Sequence, residues 1–324
     1  MPDTYQDSVG VWRGKLGVKV VDADRDGNTP AVGVVVAGSG GVEAFETSDP
    51  YQDSAGVWRD PVPVQILDAG TEFHTDPAGA VRAAVTMSGI SVFDPSALFT
   101  GSEEGGWYDP SDLTTLFQDS AGTVPVAADG DPVGKMLDKS GNGRHLTAAA
   151  DAARPTFHTS GGLSWIEGDG SNDRLSSASF ALAQPMERIS AVRSVTWSNL
   201  DRLFGGLGNY ASLYQNGTAP TLGMTSGAPV LSFTGPAVGA DGIVSERYNG
   251  ASSRAALNAG AWTTADVGNN AADGFQIFDY ANPAVATRPA NARCYGVVVI
   301  CRLLTDTEID QTRAWLAAKA GVTL

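Results

Sequence analysis

Short apolar runs with period two recur along this chain. Leu16, Val18 and Val20 alternate with smaller or polar neighbours, and Val62, Val64 and Ile66 do the same 46 residues later. That period places every second side chain on one face and predicts a half-buried strand in each copy. The copies share more than the strand. Tyr5-Gln6-Asp7-Ser8-Val9-Gly10-Val11-Trp12-Arg13 returns as Tyr51-Gln52-Asp53-Ser54-Ala55-Gly56-Val57-Trp58-Arg59. Each strand is followed by Asp-Ala and a turn, then by a second β-like run at 31–37 or 80–87. Each repeat therefore reads as a small β-unit, too small to bury a core alone.

Residues 94–110 interrupt the pattern. Pro95, Gly101, Gly105, Gly106 and Pro110 break regular elements and predict a junction. Beyond it, short strands alternate with Gly, Asn, Ser and Pro turns. Strands are expected near 163–168, 189–197, 202–208, 229–235, 243–250, 274–280 and 294–304. That number of strands at that spacing predicts a β-sandwich or jelly roll. The end changes period. Thr305 and Glu308 have the spacing of a capping box, Leu304 and Ile309 that of a hydrophobic staple, and Gly321 is a stop. One helix is expected over 305–320, packed on the sandwich by Trp315.

The fold class is thus mainly β: duplicated small β-units, then a sandwich with a C-terminal helix. The domains are read as repeat 1 over 1–46, repeat 2 with its linker over 47–100, and the sandwich over 101–324. Composition agrees. Among 324 residues there are 39 Gly and 17 Pro, spread along the chain, and 42% are hydrophobic. A coiled coil or helical bundle is excluded as the main architecture, and no apolar run approaches the roughly 18 residues of a membrane span. The start, MPDTYQDSVGVWRGK, has no basic region ahead of an apolar stretch, so no secretory signal is expected.

Charge and cysteine narrow the partners. With 36 acidic and 21 basic side chains the net charge is -15, which argues against an extended nucleic-acid surface. Cys294 and Cys301 lie in one apolar run. In a regular strand they would face opposite sides, too far apart to pair. Two buried free thiols are expected, in a chain made in a reducing cytoplasm.

Three stretches, taken in order, point to a family. They are WYDPSDLTTLFQDSAGTVPVAADGDPVGKMLDKSGNGRHLTAA at 107–149, ARPTFHTSGGLSWIEGDGSNDRLSS at 153–177 and YGVVVICRLLTDTEIDQTRAWLAAKAGVTL at 295–324. Together they resemble the concanavalin A-like (laminin G-like) jelly-roll modules of tailed-bacteriophage virion proteins. The turn Asp138-Lys139-Ser140-Gly141-Asn142-Gly143 matches a loop signature of that family. Glu167 stands where the family shows an aromatic residue, and Asn172 where it shows Asp. Tyr248-Asn249-Gly250 resembles the family's strand followed by Asn-Gly. The resemblance covers about residues 105–324 and implies two curved antiparallel sheets, often with carbohydrate binding and without catalysis.

Enzyme signatures are sparse. His74, His145 and His158 are far apart and form no metal-binding pair, and there is no nucleophile elbow or phosphate loop. Glu167 and Asp169 match two positions of the E-x-D-x-(x)-E strands of some glycosidases, but Ser171 and Asn172 stand where the third acid would be. The competing reading is a turn capped by Asp169, Asn172 and Asp173. No cofactor is expected, with calcium as the one exception. Asp22, Asp24 and Asp26 alternate ahead of Gly27 like the first half of a calcium loop. Its twelfth position is Gly33, and the second copy has Gly70 in place of an acid, so an acidic hairpin turn competes.

Aromatic residues give the glycan candidates. Trp12 and Trp58 belong to the repeat, while Trp165, Trp197 and Trp315 fall in strand or helix patterns. That leaves Trp107 with Tyr108, and Trp262, as loop positions that could stack on sugar, with core packing as the alternative for each. The resemblance implies a non-enzymatic protein at the virion surface, of tail-fibre or head-fibre type, made in the host cytoplasm. Other virion proteins would bind residues 1–100, the jelly roll would meet host glycan, and a homo-oligomer is expected. Capsid or tail decoration is the alternative, and a glycan-degrading enzyme a remote one.

Overall fold

The computed structural model of the protein describes residues 93–208, 210–279 and 288–324 in full, and before them the backbone of short strands. The chain divides into two compact units, Met1–Val92 and Phe93–Leu324.

In the first unit the repeated motif forms the same hairpin twice. Thr4–Gln6 pairs antiparallel with Trp12–Gly14, setting Tyr5 opposite Arg13. Tyr51–Gln52 pairs with Trp58–Arg59, setting Tyr51 opposite Arg59. Nearly identical local sequence, differing at Val9 and Ala55, thus produces the same register. Within the first alternating run, Lys19–Val20 is strand and pairs with Val34–Val35. The run near 80–87 contains the strand Val81–Thr86, paired with Gly70–Thr75. Residues 62–66, the division at 46/47, and the calcium candidates Asp22, Asp24 and Asp26 lie outside the described residues.

The second unit is a sandwich of two antiparallel sheets, one of ten strands and one of eight. In the ten-stranded sheet, Leu175–Ser176, Ala272–Ile277, Arg202–Leu207, Ser212–Gln215, Thr221–Thr225 and Leu231–Thr234 lie side by side in that order. In the eight-stranded sheet, the central strand Asn291–Ile300 is flanked by Leu163–Asp169 and Met186–Ser194, and Gly242–Tyr248 follows the latter. The strand at Gly242–Tyr248 turns back through 249–253 into Arg254–Leu257, as the Asn-Gly signal implies.

Two apolar clusters explain why the eight-stranded sheet reads as nearly continuous hydrophobic sequence. Val192, Val244, Cys294, Val297 and Val299 face the other sheet, against Phe204, Leu213, Phe275 and Ile277. Ile189, Ala191, Ile243, Tyr295, Val298 and Ile300 face outward, under the helix. A sheet covered on both faces has no polar face to alternate with.

The same strand corrects the expectation for the cysteines. Ala191 pairs with Gly296 but Val192 pairs with Cys294, so Tyr295 is an extra, bulged residue. The bulge shifts parity by one. Cys294 and Cys301 therefore both lie against the core between the sheets, rather than on opposite faces. Both thiols are free, and burial pushes Cys294 up to about 12 and Cys301 up to about 11. They are inert packing residues at neutral pH.

The junction also differs from its sequence reading. Leu98, assigned to the linker, is buried in the helix-side cluster, and its carbonyl accepts from Arg302. Gly105–Tyr108 is a strand of the eight-stranded sheet, paired with Val297–Ile300. Of the glycines that read as breakers, Gly105 is the one that lets the two backbones approach.

The C-terminal helix spans Asp306–Ala320. Thr305 caps it, Glu308 closes the capping box, and Gly321 ends it in the left-handed conformation. Ile309, Leu316, Ala317 and Ala320 form its buried face, while Trp315 sits at the edge, 5.7 Å edge-on to Trp107. Arg302 grips Glu308 through two hydrogen bonds of 3.1 and 2.7 Å. That contact first, and the Thr305 backbone and hydroxyl after it, hold the Glu308 carboxyl down at about 2, from 4.5. The folded state therefore favours the ionised form. The stability it contributes is complete above pH 4.5 and is lost as pH falls through 2. Glu308→Gln should melt lower than wild type at neutral pH, and the gap should close between pH 4.5 and 2 in a series of thermal melts. Among the described residues, no helix is long and apolar enough to cross a membrane.

Candidate functional site: an uncharged cleft at one end of the ten-stranded sheet

Three loops meet where neighbouring strands of the ten-stranded sheet end. One joins Arg202–Leu207 to Ser212–Gln215, the next joins Thr221–Thr225 to Leu231–Thr234, and the third leads into Ala272–Ile277. Antiparallel order brings all three to one end of the sheet. They enclose an open cleft of about 520 Å³, lined by Gly208, Tyr210, Ser226, Gly227, Ala228, Gly268, Asn269 and Asn270. That volume lies in the range of small-molecule sites.

Local chemistry shapes these loops. Gly268 has φ +82, and a Cβ there would lie 2.7 Å from the Ser226 carbonyl oxygen and 2.9 Å from that of Ala228. Only glycine lets the second and third loops touch so closely. The Ser226 amide donates to the Val267 carbonyl, and its hydroxyl donates to the Asn270 carbonyl at 2.7 Å. Gln184 donates to the carbonyls of Gly268 and Asn270 from behind. In the first loop, the Gly206 amide donates to the Tyr210 carbonyl, and Ala211 takes the left-handed conformation at φ +50. Tyr210 packs its ring partly against the core.

Among the described residues, the lining contains no charged side chain. It offers a tyrosine, two carboxamides that can each donate and accept, a serine and exposed backbone. Such a surface suits an uncharged, hydroxyl-rich ligand. The described lining residues include no carboxylate pair for acid–base work and no cation for a phosphate.

Sequence-level candidates fall elsewhere. Trp107 and Tyr108 are buried at 4% and 0% exposure, on opposite faces of one strand, so neither presents a ring to solvent. They are core residues, a correction with a simple cause: the strand is flanked by the helix on one side and the other sheet on the other. Tyr108 stacks on Phe275, and its hydroxyl donates to the Arg144 carbonyl at 2.6 Å. Trp262 is half-buried on the helix side, with Arg254 at 4.0 Å and Arg313 at 4.7 Å from its ring. It lies in the sequence NAGAWTTADVGNN, whose last two residues, Asn269 and Asn270, are the ones that reach the cleft. Gly-Asn at 208–209 and again at 268–269 is the slight hint of two of these loops in the sequence, too short to be a motif.

The other motifs are structural. The Asp138 carboxylate accepts from the amides of Trp107, Ser140 and Arg144 and from the Ser140 hydroxyl, pinning the signature turn to the first strand of the sandwich. Asn142 adds hydrogen bonds to the carbonyls of Glu103 and Gly105. Glu167 accepts from Arg293 at 2.8 Å and from the Trp165 indole at 3.1 Å. Asp169 accepts from the amides of Ser171 and Asn172, and Asp173 from the amide of Asp169. The two acids of the glycosidase-like pattern are thus committed to an ion pair and a turn. Among the described residues, no group of three or more His, Cys, Asp or Glu is placed to hold a metal ion.

No protein-family model matches the chain, and no curated protein matches it. Solved structures match it at low identity. A GH54 α-L-arabinofuranosidase soaked with a cyclic sulfate inhibitor is 13% identical over 70% of this chain and 66% of that one, with a TM-score of 0.49. A Trypanosoma rangeli sialidase in complex with a difluoro-KDN ligand is 11% identical over 68% of this chain, with a TM-score of 0.44. The receptor-binding domain of botulinum neurotoxin type G is 10% identical over 56% of this chain and 48% of its own, with a TM-score of 0.41. The chain spans 33% of the length of the sialidase. These likenesses are of fold alone. Fold and site together define a β-sandwich with an uncharged cleft at one sheet end.

Proposed function

We infer that this is a non-enzymatic virion surface protein of a tailed bacteriophage whose sandwich binds host glycan through the three-loop cleft. The observation that carries the binding reading is the lining of that cleft: among the described residues it offers one aromatic ring, two carboxamides and a serine, with no charge. Sugars are recognised by that combination of an apolar ring face and neutral donors and acceptors. The virion assignment is supported by the ordered motifs at 107–149, 153–177 and 295–324. Engagement of Glu167 and Asp169 in structural contacts supports a binding role over hydrolysis. Residues 1–100 are the proposed attachment region for other virion proteins. The cleft is open, so each site binds weakly, and a homo-oligomer displayed in many copies supplies avidity.

The test is an array of neutral and acidic bacterial saccharides probed with the full chain at low and high salt. Binding should favour uncharged saccharides and be nearly unchanged by salt, because no charge is screened. Binding confined to acidic saccharides and lost in salt would contradict the reading. Immunogold labelling of phage particles, with an antibody against residues 105–324, tests the virion assignment separately. Label at the tail tip or fibres fits adsorption, and absence of label from every particle removes the assignment.

A further inference from the structure

A complete ion pair is sealed between the two sheets. Arg188 and Glu246 are 1% and 0% exposed. Arg188 donates to both Glu246 oxygens at 2.7 Å, and also to the Tyr248 hydroxyl at 2.7 Å. Tyr248 in turn donates to Glu246 at 2.8 Å. Phe204 and Tyr248 lie beside the guanidinium, at 5.2 and 5.4 Å from ring centre. A buried pair of this kind adds little stability over apolar residues of the same volume. Its presence calls for another role.

The remaining arm of the guanidinium points to that role. Its Nη1 leaves the triad, crosses to the other sheet and donates to the Ala211 carbonyl at 2.8 Å. Ala211 then donates its amide to the Ser226 hydroxyl at 3.2 Å, and that hydroxyl donates to the Asn270 carbonyl at 2.7 Å. One unbroken chain of hydrogen bonds therefore runs from the core triad through all three loops of the cleft. Ala211 is held in a left-handed conformation that alanine otherwise avoids, so its carbonyl needs a fixed partner.

We propose that Arg188 is a positioning residue for the cleft, bracing its three loops through Ala211, Ser226 and Asn270. This rests on the cleft being the binding site. The brace replaces loop flexibility with a preformed site, which lowers the ordering cost of binding a weak ligand.

The test is hydrogen exchange on the full chain without sugar, followed by the saccharide array. In Arg188→Met/Glu246→Leu the charges leave together and the core stays apolar, so the variant should fold. Exchange at the amides of Ala211 and Asn270 should rise at least tenfold, while amides of the helix Asp306–Ala320 keep wild-type rates. Ser226→Ala cuts the chain without touching the triad of Arg188, Glu246 and Tyr248, and should raise the same two amides. Wild-type exchange at Ala211 and Asn270 in both variants would overturn the proposal. If exchange rises while neither variant weakens saccharide binding, the brace stands and the glycan reading of the cleft falls.

Discussion

Arg188→Met alone should lower the melting temperature by roughly 6–20 °C. The substitution strips Glu246, at the centre of the sandwich, of its guanidinium and leaves the Tyr248 hydroxyl as its remaining partner. Breaking a buried pair from one side costs about 3–5 kcal/mol, and each kcal/mol shifts a unit of this size by about 2–4 °C. The double variant with Glu246→Leu should recover most of the loss. It should not recover all of it, because the Ala211 carbonyl and the Tyr248 hydroxyl are left in the core without Arg188. Thermal melts of wild type and both variants decide the point. A single variant that melts with wild type would mean that Arg188 is not sealed between the sheets.

Gly105→Ala should be comparably damaging for a steric reason. Gly105 has φ +146, and a Cβ there would lie 2.1 Å from the Val299 carbonyl oxygen and 2.9 Å from the Ile300 Cα. Both neighbours are backbone of the central strand, so neither can swing away. The strand Gly105–Tyr108 must shift or detach, which also disturbs Trp107 on the helix side and Tyr108 in the core. Strain and forced repacking together cost about 2–6 kcal/mol. A far smaller effect is expected at Gly141, where no atom lies within 4 Å, although its φ of +93 still disfavours alanine. Equal losses at the two positions, read as denaturant midpoints, would contradict the close backbone approach at Gly105.

These two sites mark the limits of what the sequence makes legible. The sandwich, most of its long strands and the helix with its capping box follow from local pattern: period two, turn residues, and Thr305 three residues before Glu308. The strand at Gly105–Tyr108 does not, because two glycines beside a third read as a break unless the partner backbone is known. Strands of two residues, such as Lys135–Met136 and Leu146–Thr147, are too short to show any period. The bulge at Tyr295 is invisible for a similar reason. It changes which face Cys301 occupies without changing the apolar character of the run. The ion triad is legible only as charges within apolar strands, at Arg188 and Glu246, whose pairing across 58 residues depends on register.

The candidate site was the least legible feature. Its parts come from three loops separated by up to sixty residues, and none carries a motif. Tryptophan is the strongest single signal for sugar in a sequence, yet most of these rings have stronger claims from the core. Trp107 is buried beneath the helix, and Trp165 lies under Arg293 at 4.5 Å. The residues left at the open cleft are small, neutral and common, and only the sheet brings them together.

The most direct test of this account compares Tyr210→Ala with Trp262→Ala on the same saccharide array. Tyr210 lines the cleft, whereas Trp262 sits between two arginines on the helix side. Losing a stacking ring is worth about 1.4 kcal/mol, so Tyr210→Ala should weaken binding roughly tenfold, and Trp262→Ala should leave it at the wild-type level. Binding that survives Tyr210→Ala and disappears with Trp262→Ala would contradict the account and move the glycan site to the outer face of the eight-stranded sheet.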